Sequence, residues 1–177
     1  MSASQPPIID FLAPGEKEHW KTVDDPVMGG RSHSEITWLE EEHTTDEQAS
    51  SFLRFHGRIS LANGGGFCST RLTERARPAS GAQTIRLRLR GDRKRYKITL
   101  RTSDTRRASS WRYPITTSGQ SWEHHDIPLD AFELWRRGQL LDAEGWPDPA
   151  HLTSAGILIA DKQQGPFQLD ISDFQAL

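Results

Sequence analysis

A single cysteine, no long apolar run and little net charge distinguish this sequence. Cys68 is the only cysteine among 177 residues, which excludes an internal disulfide and fits a reducing compartment. No stretch approaches the length of a membrane span, and no secretory signal begins the chain. The net charge of -2 gives no bulk attraction to nucleic acid or acidic membranes. We therefore expect a soluble cytoplasmic protein with no nucleic-acid partner and no membrane span.

Long helical periodicity is also missing, and short alternating segments take its place. Apolar and polar residues alternate at 53–61, 85–89, 96–100 and 167–171, which is the period of strands with one face in a core. The segment 155–160 is almost wholly apolar, as is typical of a strand buried on both faces. This spacing predicts an all-β fold, a two-sheet antiparallel β-sandwich or jelly roll.

Three finer predictions follow from the same patterns. Gly91 and Asp92 begin a short turn between two alternating segments, so the strands at 85–89 and 96–100 are expected to form a hairpin. The acidic, polar stretch 40–51 is expected to be an exposed hairpin loop. We also expect a disordered tail over residues 1–7 and a single β-sandwich domain over residues 8–177.

The segment 23–32 suits neither a strand nor a helix. Asp24 and Asp25 precede a proline, which favours an extended conformation at Asp25, and two glycines follow. Either carboxylate could fold back onto nearby backbone N–H groups in an Asx-type turn. Met28 is the apolar residue that would anchor the segment in a core. Two interpretations stay open: a structural corner, or a binding loop of the kind that rigid scaffolds carry.

No constellation in the sequence predicts catalysis or a metal site. Three glycines precede Cys68, but no Gly-Lys-Ser/Thr follows them, which argues against a phosphate loop. None of the seven histidines has a signature spacing to Cys68, and no HxH or HExxH pattern occurs. Asp24, Asp25 and Asp161 lack the usual spacing of a calcium loop. We therefore predict no catalytic residue, no metal and no cofactor.

Arginines and tryptophans are the side chains most suited to recognition. The arginines at 54, 58, 86, 88, 90 and 101 would form one basic face if their strands adjoin, either as a solvated surface balanced by neighbouring acids or as a docking surface for an acidic partner. Trp111 follows a polar stretch and could stand at a rim beside Tyr113, where an aromatic face could contact a sugar ring or a protein.

Five short motifs follow one another along nearly the whole chain. They are Asp25 with Met28-Gly29-Gly30 and Ser32; Phe55 and Gly57 followed by Gly65-Gly66-Phe67, Ser69 and Arg71; Arg90-Gly91-Asp92 with Tyr96; Trp122 with Ile127-Pro128 and Phe132; and Gly156, Asp161-Lys162, Gly165-Pro166-Phe167, Leu169 and Ile171. Taken together they resemble the complex I intermediate-associated protein family, whose domain is a jelly-roll sandwich of the galactose-binding-like type. Ile115 departs from the family's phenylalanine, and Arg93-Lys94 replace a glycine-containing turn.

The resemblance implies a non-catalytic, chaperone-like assembly factor that recognises a protein partner. Mitochondrial members of the family help to assemble the membrane arm of respiratory complex I. Because this chain shows no mitochondrial targeting stretch, we expect it to be similar to bacterial-type, stand-alone members. The alternative is a module that binds a carbohydrate or small ligand. The candidate binding residues are Asp24, Asp25, Met28, Arg71, Asp92, Trp111, Tyr113, Asp161 and Lys162.

Overall fold

The computed structural model describes residues 7–13, 15–41, 50–73 and 76–177, without the side chains of Val27, Met28 and Ser50. The described residues form twelve strands and short 3-10 segments, with no α-helix among them. The strands are β1 (Trp20–Asp24), β2 (His33–Glu41), β3 (Ser50–Ile59), β4 (Cys68–Leu72), β5 (Thr84–Gly91), β6 (Arg95–Thr102), β7 (Ser109–Thr116), β8 (Glu123–Pro128), β9 (Glu133–Arg136), β10 (Gln139–Leu140), β11 (Leu152–Ile159) and β12 (Gly165–Ala176). The 3-10 segments are Glu16–His19, Asp25–Met28, Ala62–Gly64, Leu129–Ala131 and Pro149–His151.

The strands form two antiparallel sheets that pack face to face. One sheet has seven strands in the order β1-β4-β11-β6-β7-β9-β10, and the other has five in the order β2-β3-β12-β5-β8. The predicted β-sandwich is therefore confirmed. Every described pairing is antiparallel, which matches the alternation of apolar and polar side chains read from the sequence.

The core lies between the sheets and is filled by the inward side chains of both. Phe55 and Phe167 meet edge to face with ring centroids 5.0 Å apart, and Tyr96 packs on Phe167 at 6.4 Å. Ile98 and Ile157, from adjacent strands of the larger sheet, are fully buried beside them. Burial of this apolar surface supplies the main driving force for stacking the two sheets.

The prediction that the strands at 85–89 and 96–100 form a hairpin is wrong. β5 pairs with β12 and β8 in the smaller sheet, whereas β6 pairs with β11 and β7 in the larger one. The turn between them crosses from one sheet to the other. Asp92 fixes this crossing, because its carboxylate accepts hydrogen bonds from the Tyr96 hydroxyl at 3.0 Å and from the Gln168 backbone nitrogen at 2.9 Å. Alternation predicted both strands, but it carries no information about their partners.

Two predicted segments fall largely outside the described residues. The predicted tail over residues 1–7 is described only at Pro7, whose carbonyl accepts a hydrogen bond from Arg77. The predicted loop over 40–51 is shorter at both ends, since β2 reaches Glu41 and β3 begins at Ser50, and residues 42–49 lie outside the description. Among the helices described, none combines the length and the apolar character needed to cross a bilayer.

Candidate functional site

The carboxylate of Asp25 joins two loops that are far apart in the sequence. Its Oδ1 accepts a hydrogen bond from the Ser32 backbone nitrogen at 2.8 Å, and its Oδ2 accepts one from the Ser32 hydroxyl at 2.5 Å. Oδ2 also accepts from the backbone nitrogens of Gly66 at 2.5 Å and Phe67 at 3.2 Å. The side chain is only 1% exposed. In place of the Asx-type turn expected here, Asp25 bonds residues seven and about 41 positions away and so cross-links the first two motifs.

The environment of Asp25 favours its charged form. Burial, the strongest single influence, would raise its pKa, but the hydrogen bonds from Ser32, Gly66 and Phe67 together hold the pKa below its usual value. Gly30 is part of the same arrangement, because a Cβ atom there would lie 2.1 Å from the Asp25 Oδ1. A carboxylate sealed in this way stabilises the corner and is not accessible to a ligand.

Asp24 and Cys68 form a second structural contact beside this corner. The Asp24 carboxylate accepts hydrogen bonds from the backbone nitrogen of Ser34 at 2.7 Å and from its hydroxyl at 2.5 Å. Cys68 is fully buried, and burial followed by the charge of Asp24 raises the pKa of its thiol. A thiol with a raised pKa is a poor nucleophile at neutral pH.

The other predicted residues do not come together at one place. Asp92 lies at the crossing between sheets, Trp111 is buried in the core, and Tyr113 packs its ring 5.7 Å from that of Phe132. Asp161 accepts a hydrogen bond from Lys97 Nζ at 2.7 Å. Lys162 is exposed on a turn, and the side chain of Met28 lies outside the described residues. Within the described chain, no group of three His, Cys, Asp or Glu could hold a metal ion.

Arg71 differs from these residues because it lines a cavity on the outer face of the seven-stranded sheet. The cavity has a volume of about 670 Å3 and is lined by Arg71, Arg101, Arg112 and Arg137 together with small and apolar side chains. We call it the arginine groove. Of the described residues that line it, none is acidic. Its volume falls in the range of ligand sites, about 300–1,000 Å3.

The sheet register explains the shape of the arginine groove. Four residues lie opposite one another on the successive strands β4, β11, β6 and β7: Arg71, Gly156, Thr99 and Arg112. Gly156 allows the neighbouring strand β4 to approach closely, because a Cβ there would meet the Arg71 Cβ at 2.6 Å and the Thr70 carbonyl oxygen at 2.3 Å. The two arginines therefore border a floor made of one glycine and one small polar residue.

Arg71, Arg101 and Arg112 are half-buried and repel one another, whereas Arg137 is exposed. Burial, and then the charges of Arg71 and Arg112, lower the pKa of Arg101. Burial also lowers the pKa of Arg112, and the charge of Asp161 opposes part of that effect. Arg112 donates from Nε to the Ser110 hydroxyl at 3.1 Å. In the described part of the chain, Arg71, Arg101 and Arg112 have no salt-bridge partner.

The arginines on the smaller sheet have a different environment. Arg54 and Arg90 both bind the carboxylate of Asp170, which is fully buried, and Arg86 binds Asp126 in a bidentate pair at 2.7 and 2.6 Å. Neighbouring acids thus balance these three arginines. The expectation that Arg101 belongs to the same face is wrong, since β6 lies in the other sheet.

Sequence reasoning missed most of the arginine groove. Arg112 and Arg137 were not selected, and Arg101 was assigned to the opposite face. The alternation of side chains along β6 could have placed Arg101, because Arg101 points to the same outer face as Lys97 and Thr99. Such alternation tells which face of its strand a side chain is on, but it does not tell which strands are neighbours in the sheet.

A family model covers most of the chain. The model for complex I intermediate-associated protein 30 matches residues 9–171. The chain belongs to this family. An uncharacterized protein of Schizosaccharomyces pombe is 26% identical over 184 residues, which cover 92% of this chain and 82% of that protein.

The mouse complex I intermediate-associated protein 30, mitochondrial, is 31% identical over 93 residues, which cover 50% of this chain and 28% of that protein. The name of the mouse protein places that protein in mitochondria. This finding contradicts the cytoplasmic location that we predicted from the sequence.

Solved structures with a similar fold include carbohydrate-binding modules. The family 11 carbohydrate-binding module of a cellulosomal cellulase from Clostridium thermocellum has a TM-score of 0.59 at 16% identity, over 97% of this chain and 96% of that one. An exo-beta-agarase has a TM-score of 0.61 at 6% identity, over 95% of this chain and 24% of that one. At these identities the likeness shows the β-sandwich fold.

Proposed function

We propose that the chain is a non-catalytic assembly-factor module that recognises a protein partner through the arginine groove. Family membership supports an assembly-factor-like role. The observation that carries the proposal is the contrast between the two outer faces. Acids balance Arg54, Arg86 and Arg90 on the smaller sheet, whereas the groove arginines have no salt-bridge partner in the described chain.

Keeping these arginines in a concave face without a salt-bridge partner costs free energy in the isolated protein. Burial removes part of their hydration, and their like charges repel. A partner that supplies acceptors would recover that energy on binding, because arginine binds carboxylates in a bidentate geometry and is enriched at protein interfaces. Trp135 lies beside the groove, with its ring centroid 5.5 Å from the Arg112 guanidinium carbon, and offers an aromatic contact of the kind that interfaces favour.

A quantitative pull-down from native lysate of the source organism tests this proposal. The tagged wild-type chain is compared with the double variant Arg71→Glu, Arg101→Glu and with the single variant Arg58→Glu, which changes an exposed charge on the opposite sheet. A partner in near-stoichiometric amount is expected with the wild type and Arg58→Glu and should be lost with the groove variant. Absence of any stoichiometric partner, or equal recovery by all three folded proteins, would contradict the proposal.

A second candidate function is the binding of a carbohydrate. The half-buried ring of Trp135 beside a polar, concave sheet face is the observation that favours it, because aromatic rings can stack on sugar rings. The carbohydrate-binding modules among the structural neighbours agree with this alternative. A glycan screen by thermal shift tests it, with Trp135→Ala as the control variant. A hit that disappears in this variant would support carbohydrate binding.

A further inference from the structure

We infer that the arginine groove binds an extended acidic segment of the partner, with two consecutive acidic residues placed between Arg71 and Arg112. This inference rests on the proposed function and names the chemistry that the groove recognises. It follows from three features of the groove: the separation of its arginines, the small residues Gly156 and Thr99 between them and the lack of acids among its described lining residues.

The separation of the arginines argues for more than one anionic group. Arg71 and Arg112 lie three interstrand spacings apart, or about 14 Å between backbones. A single carboxylate has only two oxygens, so it cannot bind all the arginines that line the groove in a bidentate geometry. Arg101 lies two residues along β6 from Thr99, on the Arg112 side of the floor. The groove therefore has arginine on both sides.

An extended peptide matches this arrangement because its successive side chains point in opposite directions. With the peptide backbone along the groove between Arg71 and Arg112, one acidic side chain would reach Arg71 and the next would reach Arg101 and Arg112. The groove, with a volume of about 670 Å3, has room for such a segment. Two acidic residues separated by one position would point to the same side of the groove. The arginines on the other side would then have no acidic partner.

The guanidinium groups have donors available for these contacts. Arg112 uses only its Nε in the hydrogen bond to Ser110, and the structure records no side-chain hydrogen bond for Arg71 or Arg101 among the residues it describes. The mutual repulsion that lowers the pKa of Arg101 would be relieved when carboxylates bind between the arginines. Charge complementarity thus selects an acidic segment over a neutral one.

Fluorescence anisotropy with three labelled eight-residue peptides tests the inference on the full chain. The first peptide carries Glu-Glu at its centre within a glycine and serine background, the second carries Gln-Gln there, and the third carries Glu-Gly-Glu. The Glu-Glu peptide is expected to bind about tenfold or more tightly than the Gln-Gln peptide, the scale of a charge-assisted contact. It should also bind more tightly than Glu-Gly-Glu, and its affinity should fall as salt rises.

Substitutions place the binding in the groove. Arg71→Gln and Arg112→Gln are each expected to weaken Glu-Glu binding about tenfold, again on the scale of a charge-assisted contact. Arg58→Gln removes the same charge from the opposite sheet and should leave the affinity within about twofold, which tests for bulk charge effects. Circular dichroism and thermal unfolding establish that each variant is folded. Equal binding of the Gln-Gln peptide, or undiminished binding by both groove variants, would overturn the inference.

Two further ligands separate this inference from its alternatives. Citrate represents small carboxylates, and polygalacturonate represents acidic carbohydrates. Binding of either one that depends on Arg71, without binding of the Glu-Glu peptide, would overturn the peptide inference and assign the groove to that ligand. If the pull-down recovers a partner that depends on the groove while the peptide fails to bind, the proposed function stands and the inference fails. If the pull-down finds no partner, the proposed function itself fails.

Discussion

The Asp25 carboxylate accepts a hydrogen bond of 2.5 Å from the backbone nitrogen of Gly66, although the two residues are 41 positions apart in the chain. This contact ties the turn before β2 to the glycine-rich turn before β4. Both turns belong to motifs that resemble the family pattern, so a folding role explains the residue types found there. Gly66 has a φ of +131°, a backbone conformation that side-chain-bearing residues rarely adopt.

Replacement of Asp25 by asparagine should destabilise the protein by about 2–4 kcal/mol, because a buried group that accepts several hydrogen bonds is replaced by one that is partly a donor. Urea unfolding at pH 7 measures the loss. Asp161→Asn is the matched control, since Asp161 makes one ion pair at the surface and its replacement should cost much less. Similar costs for the two variants would show that the Asp25 cross-link adds little.

The contribution of Asp25 should depend on pH in a defined direction. Its pKa is lowered in the folded protein, so the carboxylate stabilises the fold fully above its unfolded-state pKa, near 3.8. That stabilisation is lost as the pH falls through the lower folded-state value. The difference in unfolding free energy between wild type and Asp25→Asn is therefore expected to be constant from pH 7 to about 5 and to shrink below about 4. A difference that grows on acidification would contradict the lowered pKa.

Gly30 should be intolerant of a side chain because of Asp25 itself. An alanine Cβ would lie 2.1 Å from Oδ1 and 2.3 Å from Cγ of Asp25, so one of the two residues must move. We expect Gly30→Ala to cost about 2–4 kcal/mol in the wild type and clearly less when combined with Asp25→Gly, which removes Oδ1, Cγ and Cβ, the three clashing atoms. A double-mutant cycle by urea unfolding measures this coupling. Additive costs would mean that the strain has another source.

The sequence predicted the local features of this fold better than the distant ones. Alternation at Phe55, Ile98 and Leu169 indicated strands because the period of two is a local property of the backbone. The corner at Asp25 was also visible from its proline and glycines. Its partner Gly66 was not, since the contact depends on how the two turns are placed by the sheets.

The arginine groove shows the same limit. Arg71 was selected from a motif, yet its neighbours across the sheet are set by the strand order β4-β11-β6-β7. The chain reaches β11 only after many other strands, so no spacing in the sequence places Gly156 between Arg71 and Thr99. Strand order is decided by long-range packing of the two sheets, for which a single sequence gives no direct signal.

Two aspartates that bind arginines on the smaller sheet allow burial to be tested as the cause of a stability difference. Asp170 is fully buried and binds both Arg54 and Arg90, whereas Asp126 and Arg86 form an exposed bidentate pair. Each of these contacts joins neighbouring strands of the same sheet. The arginine–aspartate contacts therefore have a similar geometry, but Asp170 is shielded from water and Asp126 is exposed to it.

Asp170→Asn should cost about 3–5 kcal/mol, because it leaves the charges of Arg54 and Arg90 without a buried counter-charge. Asp126→Asn should produce little measurable change, since water replaces the lost contact with Arg86. Urea unfolding of both variants at pH 7 gives the comparison. High salt should not reduce the cost at Asp170, because buried charges are screened weakly. If the two variants lose the same stability, burial is not what distinguishes the two aspartates, and the balanced face on the smaller sheet would owe its stability to packing of the arginine side chains on Phe52 and Trp122.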